Sequence, residues 1–261
     1  MPRSRRHALG QHFLKNPRIL QKIADTISPQ KEDLVIEIGA GEGTLTRLLA
    51  EAAGRVIAIE KDPRLLPALQ NLHLNNVVIL EEDALRVDFR QVTGGKTAKI
   101  AGNLPYSIST PLLFRILAEK SICQECHFLL QKVVAERICA TPGTKKIAPL
   151  SLLLQNDFET GIRFRVARGS FSPPPQVDSA FVSLIKRKSP LFSTATEARF
   201  QNFLQVCFQQ RRKKLANNLK SLGLSPDRLA QAYSSTEVNP DVRSEQLSLQ
   251  QFVDFYQALM L

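Results

Sequence analysis

Cysteine is scarce in this chain, with four among 261 residues, at positions 123, 126, 139 and 207. They are too few and too irregularly placed for a disulfide framework. Methionine is scarcer still, with only Met1 and Met260. That bears on Cys123-Gln-Glu-Cys126-His127, which has the C-x-x-C-H spacing of haem attachment but no methionine nearby in sequence to serve as an axial ligand. A zinc site on the same residues lacks a second cysteine pair, because only Cys139 follows. Ordinary thiols at a strand entry, and no metal, are expected. Long apolar runs are absent: none approaches the roughly 20 residues of a membrane helix, and Met-Pro-Arg-Ser-Arg-Arg leads into no signal-peptide core. The expectation is a cytoplasmic protein with no membrane partner.

What is present is an ordinary soluble composition, 43% hydrophobic and 23% charged, which argues against disorder and fibrous repeats. The length suits one large domain or one with a small partner. The net charge of +11 is unevenly spread: residues 1–30 hold six basic and one acidic residue, 31–185 hold 18 and 17, and 186–261 hold 11 and six. A basic excess confined to both ends, flanking a balanced middle, reads as the footprint of a polyanion-binding protein, with solubilising charge as the alternative.

Asn16-Pro17 reads as the start of a helix with Leu20, Ile23, Ala24 and Ile27 on one stripe, ending before Ser28-Pro29. Short apolar runs then alternate with helical patterns. Leu34–Ile38, Val56–Ile59, Val77–Leu80, Lys99–Ala101 and Phe128–Leu130 are predicted as buried parallel strands of an α/β fold. Residues 158–166 and 177–185 read as longer antiparallel strands at a sheet edge, around Pro173-Pro174-Pro175. From about residue 189 the strand signals stop. Phe200, Phe203, Leu204, Cys207 and Phe208, then Leu215, Leu219 and Leu222, predict one long amphipathic helix closed by Gly223, with further helices after Ser225-Pro226 and over Leu249–Leu259. Two domains are expected, residues 1–188 and 189–261.

The strand Leu34–Ile38 runs into Gly39-Ala-Gly41-Glu-Gly43, where glycines let the backbone approach a ligand. Thr44 stands where the dinucleotide fingerprint has its third glycine, which disfavours a nicotinamide-linked dehydrogenase. Glu60 ends the next strand, where a carboxylate can accept both ribose hydroxyls of a nucleoside. Asp83, within Glu81-Glu-Asp-Ala84, can accept from an adenine amine. Asn103-Leu104-Pro105-Tyr106 ends the fourth strand. An exocyclic amine of a base is a poor nucleophile because its lone pair is delocalised into the ring. The Asn oxygen and a backbone carbonyl held by a rigid proline can accept its two hydrogens and favour a pyramidal nitrogen, while Tyr106 offers a stacking face for a base out of its helix.

With these motifs the chain resembles the ribosomal RNA adenine-N6 dimethyltransferase family, whose branches include the bacterial small-subunit KsgA/RsmA type and the Erm resistance enzymes. The likeness runs through Leu9-Gly-Gln-His-Phe-Leu14, the glycine motif, Asn103 to Tyr106, Leu130 to Arg137, Phe171 to Val182 and Gln210 to Leu219. It implies a Rossmann-like methyltransferase sheet followed by a small, all-helical rRNA-binding domain. It implies S-adenosylmethionine as cofactor, at Gln11, His12, Leu14, Gly39, Gly41, Glu60, Lys61, Asp83, Ala84 and Asn103. Asn103, Leu104, Pro105, Tyr106 and Phe171 would hold the target adenine, with Tyr106 and Phe171 on its two faces. The implied activity is dimethylation of two adjacent adenosines in a hairpin near the 3′ end of 16S rRNA, within the small subunit or its precursor, by a monomer. The chain departs from the family pattern at three places: His12 stands where Asn is usual, Ala40 where Pro is common, and Ile147-Ala148 where Tyr-Gly is typical. Leu104 and the basic C-terminal helix resemble the small-subunit branch more than Erm. The alternatives are an Erm-like large-subunit methyltransferase and a nucleic-acid-binding scaffold of the same fold.

Overall fold

The computed structural model describes residues 12–190, 192 and 197–260. Gln11 and the basic segment before it lie outside the described residues. The chain divides into two compact units. The first takes the described residues up to Ala135 and Glu159–Lys186; the second takes Glu136–Phe158 and the described residues from Arg187 onward. The second thus draws residues 136–158 from a stretch that the sequence reading places in the first domain.

In the first unit, β1 (Phe13–Leu14) leads into α1 (Pro17–Ile27). Asn16 Oδ1 accepts from the N–H groups of Arg18 and Ile19, and Pro17 sits where the missing N–H costs nothing. The expected stripe Leu20, Ile23, Ala24 and Ile27 is buried. Alternation then sets in: β2 (Leu34–Ile38), α2 (Thr44–Ala52), β3 (Arg55–Glu60), α3 (Leu66–Gln70), β4 (Val77–Glu81), α4 (Phe89–Thr93), β5 (Ala98–Asn103), α5 (Ser109–Ala118) and β6 (Cys123–Gln131). All five predicted strands form, but β4, expected to be buried, is only partly so, with Val78 43% exposed. The last begins at Cys123, so Cys123-x-x-Cys126-His127 lies along a strand. His127 there is buried, bonded through Nδ1 to Ser183 Oγ and through Nε2 to Glu125. With α6 (Lys132–Ile138) and α7 (Pro149–Asp157) the chain enters the second unit, and it returns to the first with β7 (Phe158–Val166), β8 (Phe171–Ser172) and β9 (Ser179–Lys186).

Seven strands form one sheet in the order β4-β3-β2-β5-β6-β9-β7, with β2, β3, β4, β5 and β6 parallel and β9 antiparallel to β6. The expected edge pair is thus β9 and β7, while Phe171–Ser172 leaves to pair with β1. The chain steps from β2 to β3 on one side and returns to β5 on the other. At that reversal two crossover helices diverge and open a crevice beyond the strand ends, the usual ligand site of such sheets.

The second unit is helical: α7, α8 (Glu197–Cys207), α9 (Leu215–Leu219), α10 (Pro226–Thr236) and α11 (Leu249–Met260). Its core is aromatic, with Phe200 packed on Phe192 at 4.3 Å and on Tyr256 at 5.2 Å, and Tyr233 on Phe255 at 4.8 Å between ring centroids. The single long helix expected from Phe200 to Leu222 is two: α8 stops at Cys207 and a turn carries the four cations to α9. The stop is held by tertiary bonds. Asn218, 3% exposed, donates Nδ2–H to the Cys207 carbonyl at 2.5 Å and accepts the Gln210 N–H through Oδ1 at 3.1 Å, and the Ser244 hydroxyl donates to the same Cys207 carbonyl. Gly223 does close the 3-10 turn after α9 in the left-handed conformation. No described helix is long and apolar enough to cross a membrane.

Candidate active site

The glycine turn after β2 hangs from the end of β3. Gly39 and Ala40 donate their N–H groups to the Ile59 carbonyl at 2.9 and 3.1 Å. Gly41 donates to Glu60 Oε2 at 2.8 Å, and Asp62 N–H donates to Glu60 Oε1 at 2.8 Å. Both oxygens of this buried carboxylate therefore organise backbone, each with a lone pair still available. Gly41 has φ +60, and a Cβ there would lie 3.2 Å from Phe13 Cε1; the turn needs glycine for its conformation and for the space that β1 occupies.

One strand further, Asp83 accepts from Lys61 Nζ at 2.6 Å through Oδ2 and from Leu85 N–H at 3.0 Å through Oδ1. These bonds, Lys61 first, hold its carboxyl below the usual range, so it is an acceptor at neutral pH. On the other side of β2, Gly102 brings the end of β5 against β2: a Cβ at this position would sit 2.4 Å from the Ile38 carbonyl oxygen. Sequence reasoning missed Gly102, although a glycine inside a strand just before Asn103 was the available signal. Asn103 then donates Nδ2–H to the His12 carbonyl at 2.9 Å. A carbonyl only accepts, so this bond assigns the amide and leaves Oδ1 as an acceptor. The Pro105 carbonyl is taken by Ile108 N–H and approached by the Ser109 hydroxyl.

Tyr106 is anchored through its hydroxyl to Ser179 Oγ at 3.1 Å, and its ring lies 5.5 Å from that of His12. Burial pushes its phenol up, the Ser179 bond works against this and the Asp178 charge adds to it, so the ring is neutral at ordinary pH. Ser179 is a second residue the sequence reading missed. His12 Nδ1–H donates to the Pro173 carbonyl at 2.8 Å, tying β1 to the loop behind Phe171.

One cleft takes in His12, Gly39, Gly41, Glu60, Lys61, Asp83, Ala84, Asn103, Leu104, Pro105, Tyr106 and Phe171. Phe13, Ile38, Ile59, Asp62, Glu82, Ser107 and Ile108 also line it without having been singled out. Of the expected residues described, Leu14 alone is not in this lining; its side chain is 5% exposed within the apolar core. Leu14 pairs with Phe171 in the β1–β8 ladder, so its backbone helps to seat that ring.

The ribosomal RNA adenine dimethylase family model matches residues 3–260. The chain belongs to that family. It is 38% identical over 262 residues to ribosomal RNA small subunit methyltransferase A of Geobacter metallireducens, covering 98% of this chain and 95% of that protein. Among solved structures, a dimethyladenosine transferase from Plasmodium falciparum superposes with a TM-score of 0.82 at 27% identity, covering 94% of this chain and 96% of that one. The 23S rRNA methyltransferase ErmE gives 0.78 at 25%, covering 95% and 100%. This adenine dimethylase is therefore a methyltransferase on a Rossmann-like sheet, and its family takes the methyl group from S-adenosylmethionine. The cleft fits that molecule by the chemistry of its lining: a buried carboxylate with free lone pairs for ribose, an ionised Asp83 for the adenine amine, apolar Ile59 and Ala84 for the ring, and a glycine turn that leaves room for the methionyl chain.

Proposed function

We propose that this protein dimethylates N6 of two adjacent adenosines in a hairpin near the 3′ end of 16S rRNA, in the small subunit or its precursor. It acts in the cytoplasm as a monomer. The observation that carries this reading is the Asn103 amide, fixed at the end of β5 by its bond to the His12 carbonyl and lining the same cleft as Tyr106. Asn103 Oδ1 and the Leu104 carbonyl accept the two N6 hydrogens, while Tyr106 and Phe171 hold the faces of the base. S-adenosylmethionine supplies an electrophilic methyl at its sulfonium. Glu60, Asp83 and the Gly39–Gly41 turn bind it, with Lys61 acting through Asp83. No general base is needed, because the amine becomes strongly acidic as it gains its methyl and loses a proton to water; orientation and desolvation carry the rate. In a deletion strain the two dimethyladenosines should be absent from 16S rRNA, and the purified protein should restore them on the isolated small subunits. Restoration only on 23S rRNA would favour the Erm-like alternative, and binding without transfer would favour the scaffold.

The cations of residues 211–214 support an rRNA-docking role for the helical unit, unequally. Arg211 is spent on the carbonyls of Lys145 and Ile147, and Lys214 pairs with Asp241 at 2.7 Å. Arg212 and Lys213 are exposed. Arg212→Gln with Lys213→Gln should therefore weaken binding to small-subunit particles. The slope of log affinity against log salt should shrink by roughly 0.7 to 0.9 per lost phosphate contact, with cofactor affinity unchanged. An unaltered slope in a salt titration would remove this turn from the docking surface.

A further inference from the structure

Behind the Gly39–Gly41 turn lies a second, smaller cavity that Glu37 lines from β2. It shares Phe13, Gly39, Gly41 and Asn103 with the cofactor cleft, so little more than the glycine turn divides the two spaces. Glu37 is 2% exposed and its Oε2 has no hydrogen-bond partner among the described residues; the hydroxyl of buried Thr46 on α2 faces this carboxyl. An ionised carboxylate so placed lacks both water and a counter-charge. Burial pushes the Glu37 carboxyl up to about 8; the Thr46 hydroxyl opposes this and the charge of Glu60 on β3 adds to it. The other charged group lining this cavity is Glu42, before α2, and it is paired with Lys15 after β1 at 2.7 Å. α1, β6 and β9 contribute only apolar Leu20, Ile23, Leu129 and Phe181.

We propose that Glu37 is a latent counter-charge of the cofactor site, which gives up its proton when S-adenosylmethionine binds. The inference rests on the S-adenosylmethionine reading of the cleft. The sulfonium and ammonium of that molecule bring positive charge to the far side of the turn, which favours the ionised carboxylate. The carboxyl O–H bond breaks with its electrons left on oxygen, and the proton passes to a buffer base. By linkage, cofactor affinity rises with pH up to about 8, because the free protein holds a proton that the complex has lost. In the free protein the sign for folding is opposite: the unfolded carboxyl ionises first, so stability falls as pH rises from about 4.5 to about 8.

Calorimetry of S-adenosylmethionine binding at pH 7, in buffers of different ionisation enthalpy, counts the proton. The full-length protein should release roughly one per cofactor, and Glu37→Gln much less. S-adenosylhomocysteine, which lacks the sulfonium charge, should release fewer than S-adenosylmethionine. Binding with no proton release, or with the same release from Glu37→Gln, overturns the proposal, whereas no binding of either molecule overturns the cofactor reading instead. Should Glu37→Gln fail to fold, carboxyl-labelled glutamate in the unaltered protein decides. One buried carboxyl resonance must move from its protonated to its ionised position at pH 7 on saturation with cofactor, and a resonance that stays put refutes the idea.

Discussion

Asn103→Ala is expected to lower methyl transfer by about 10²- to 10³-fold, the range seen when one preorganised hydrogen-bonding group is removed from an active site. The amide has two jobs on opposite sides. Nδ2–H holds the His12 carbonyl at 2.9 Å, and in the proposed role Oδ1 accepts from the target amine. Alanine removes the acceptor and releases β1 together. The rate should be read by single turnover on small-subunit particles, with S-adenosylmethionine affinity measured in parallel because His12 also lines the cofactor cleft. Asn103→Asp separates the two jobs, since a carboxylate keeps an acceptor but cannot donate to the His12 carbonyl. If orientation matters as argued, Asp does not rescue. Near-normal turnover by a folded Asn103→Ala protein would remove Asn103 from its assigned role.

Glu60→Gln is expected to weaken S-adenosylmethionine binding by about 10- to 100-fold, the equivalent of roughly 1.5–3 kcal/mol for a charge-assisted bond. The substitution keeps the shape, but the structure makes it harsher than the loss of a charge. Each carboxylate oxygen accepts a backbone N–H, from Gly41 and from Asp62. A glutamine amide can serve only one of them and turns its own NH₂ toward the other donor. The glycine turn therefore loses a support at the same time as the ribose loses an acceptor. Calorimetry should show weaker cofactor binding with little change in affinity for small-subunit particles. Unchanged cofactor affinity would assign the ribose to another residue.

Much of the fold and site was legible because each part carried a local cause. Four of the five core strands were readable because residues buried on both faces of a sheet leave uninterrupted apolar runs; β4 kept such a run although it lies at the sheet edge and is only partly buried. The start of α1 was readable because Asn16-Pro17 is its own cap. The cleft residues were readable because ligands gather where parallel strands end, so glycines and polar groups just past apolar runs share one rim. Leu14 is the instructive exception: the motif placed the right segment at the cleft, but strand alternation decided which of its side chains faces inward.

The sequence by itself therefore determined the order of the elements, the edge of the sheet that carries the chemistry, and the family. Tertiary structure alone decided three things. Gly102 is visible as a glycine inside a strand, but that its missing side chain makes room for the Ile38 carbonyl is decided only once β2 lies beside it. Glu37 looks like part of the glycine motif, and only the folded structure shows its carboxyl buried, with Oε2 lacking a hydrogen-bond partner among the described residues. The break between α8 and α9 is invisible to periodicity, because the apolar stripe from Cys207 and Phe208 to Leu215 reads as one continuous helix. What ends the first helix is Asn218 and Ser244, 11 and 37 residues away, bonding the Cys207 carbonyl, and such bonds exist only once the chain has folded back on itself.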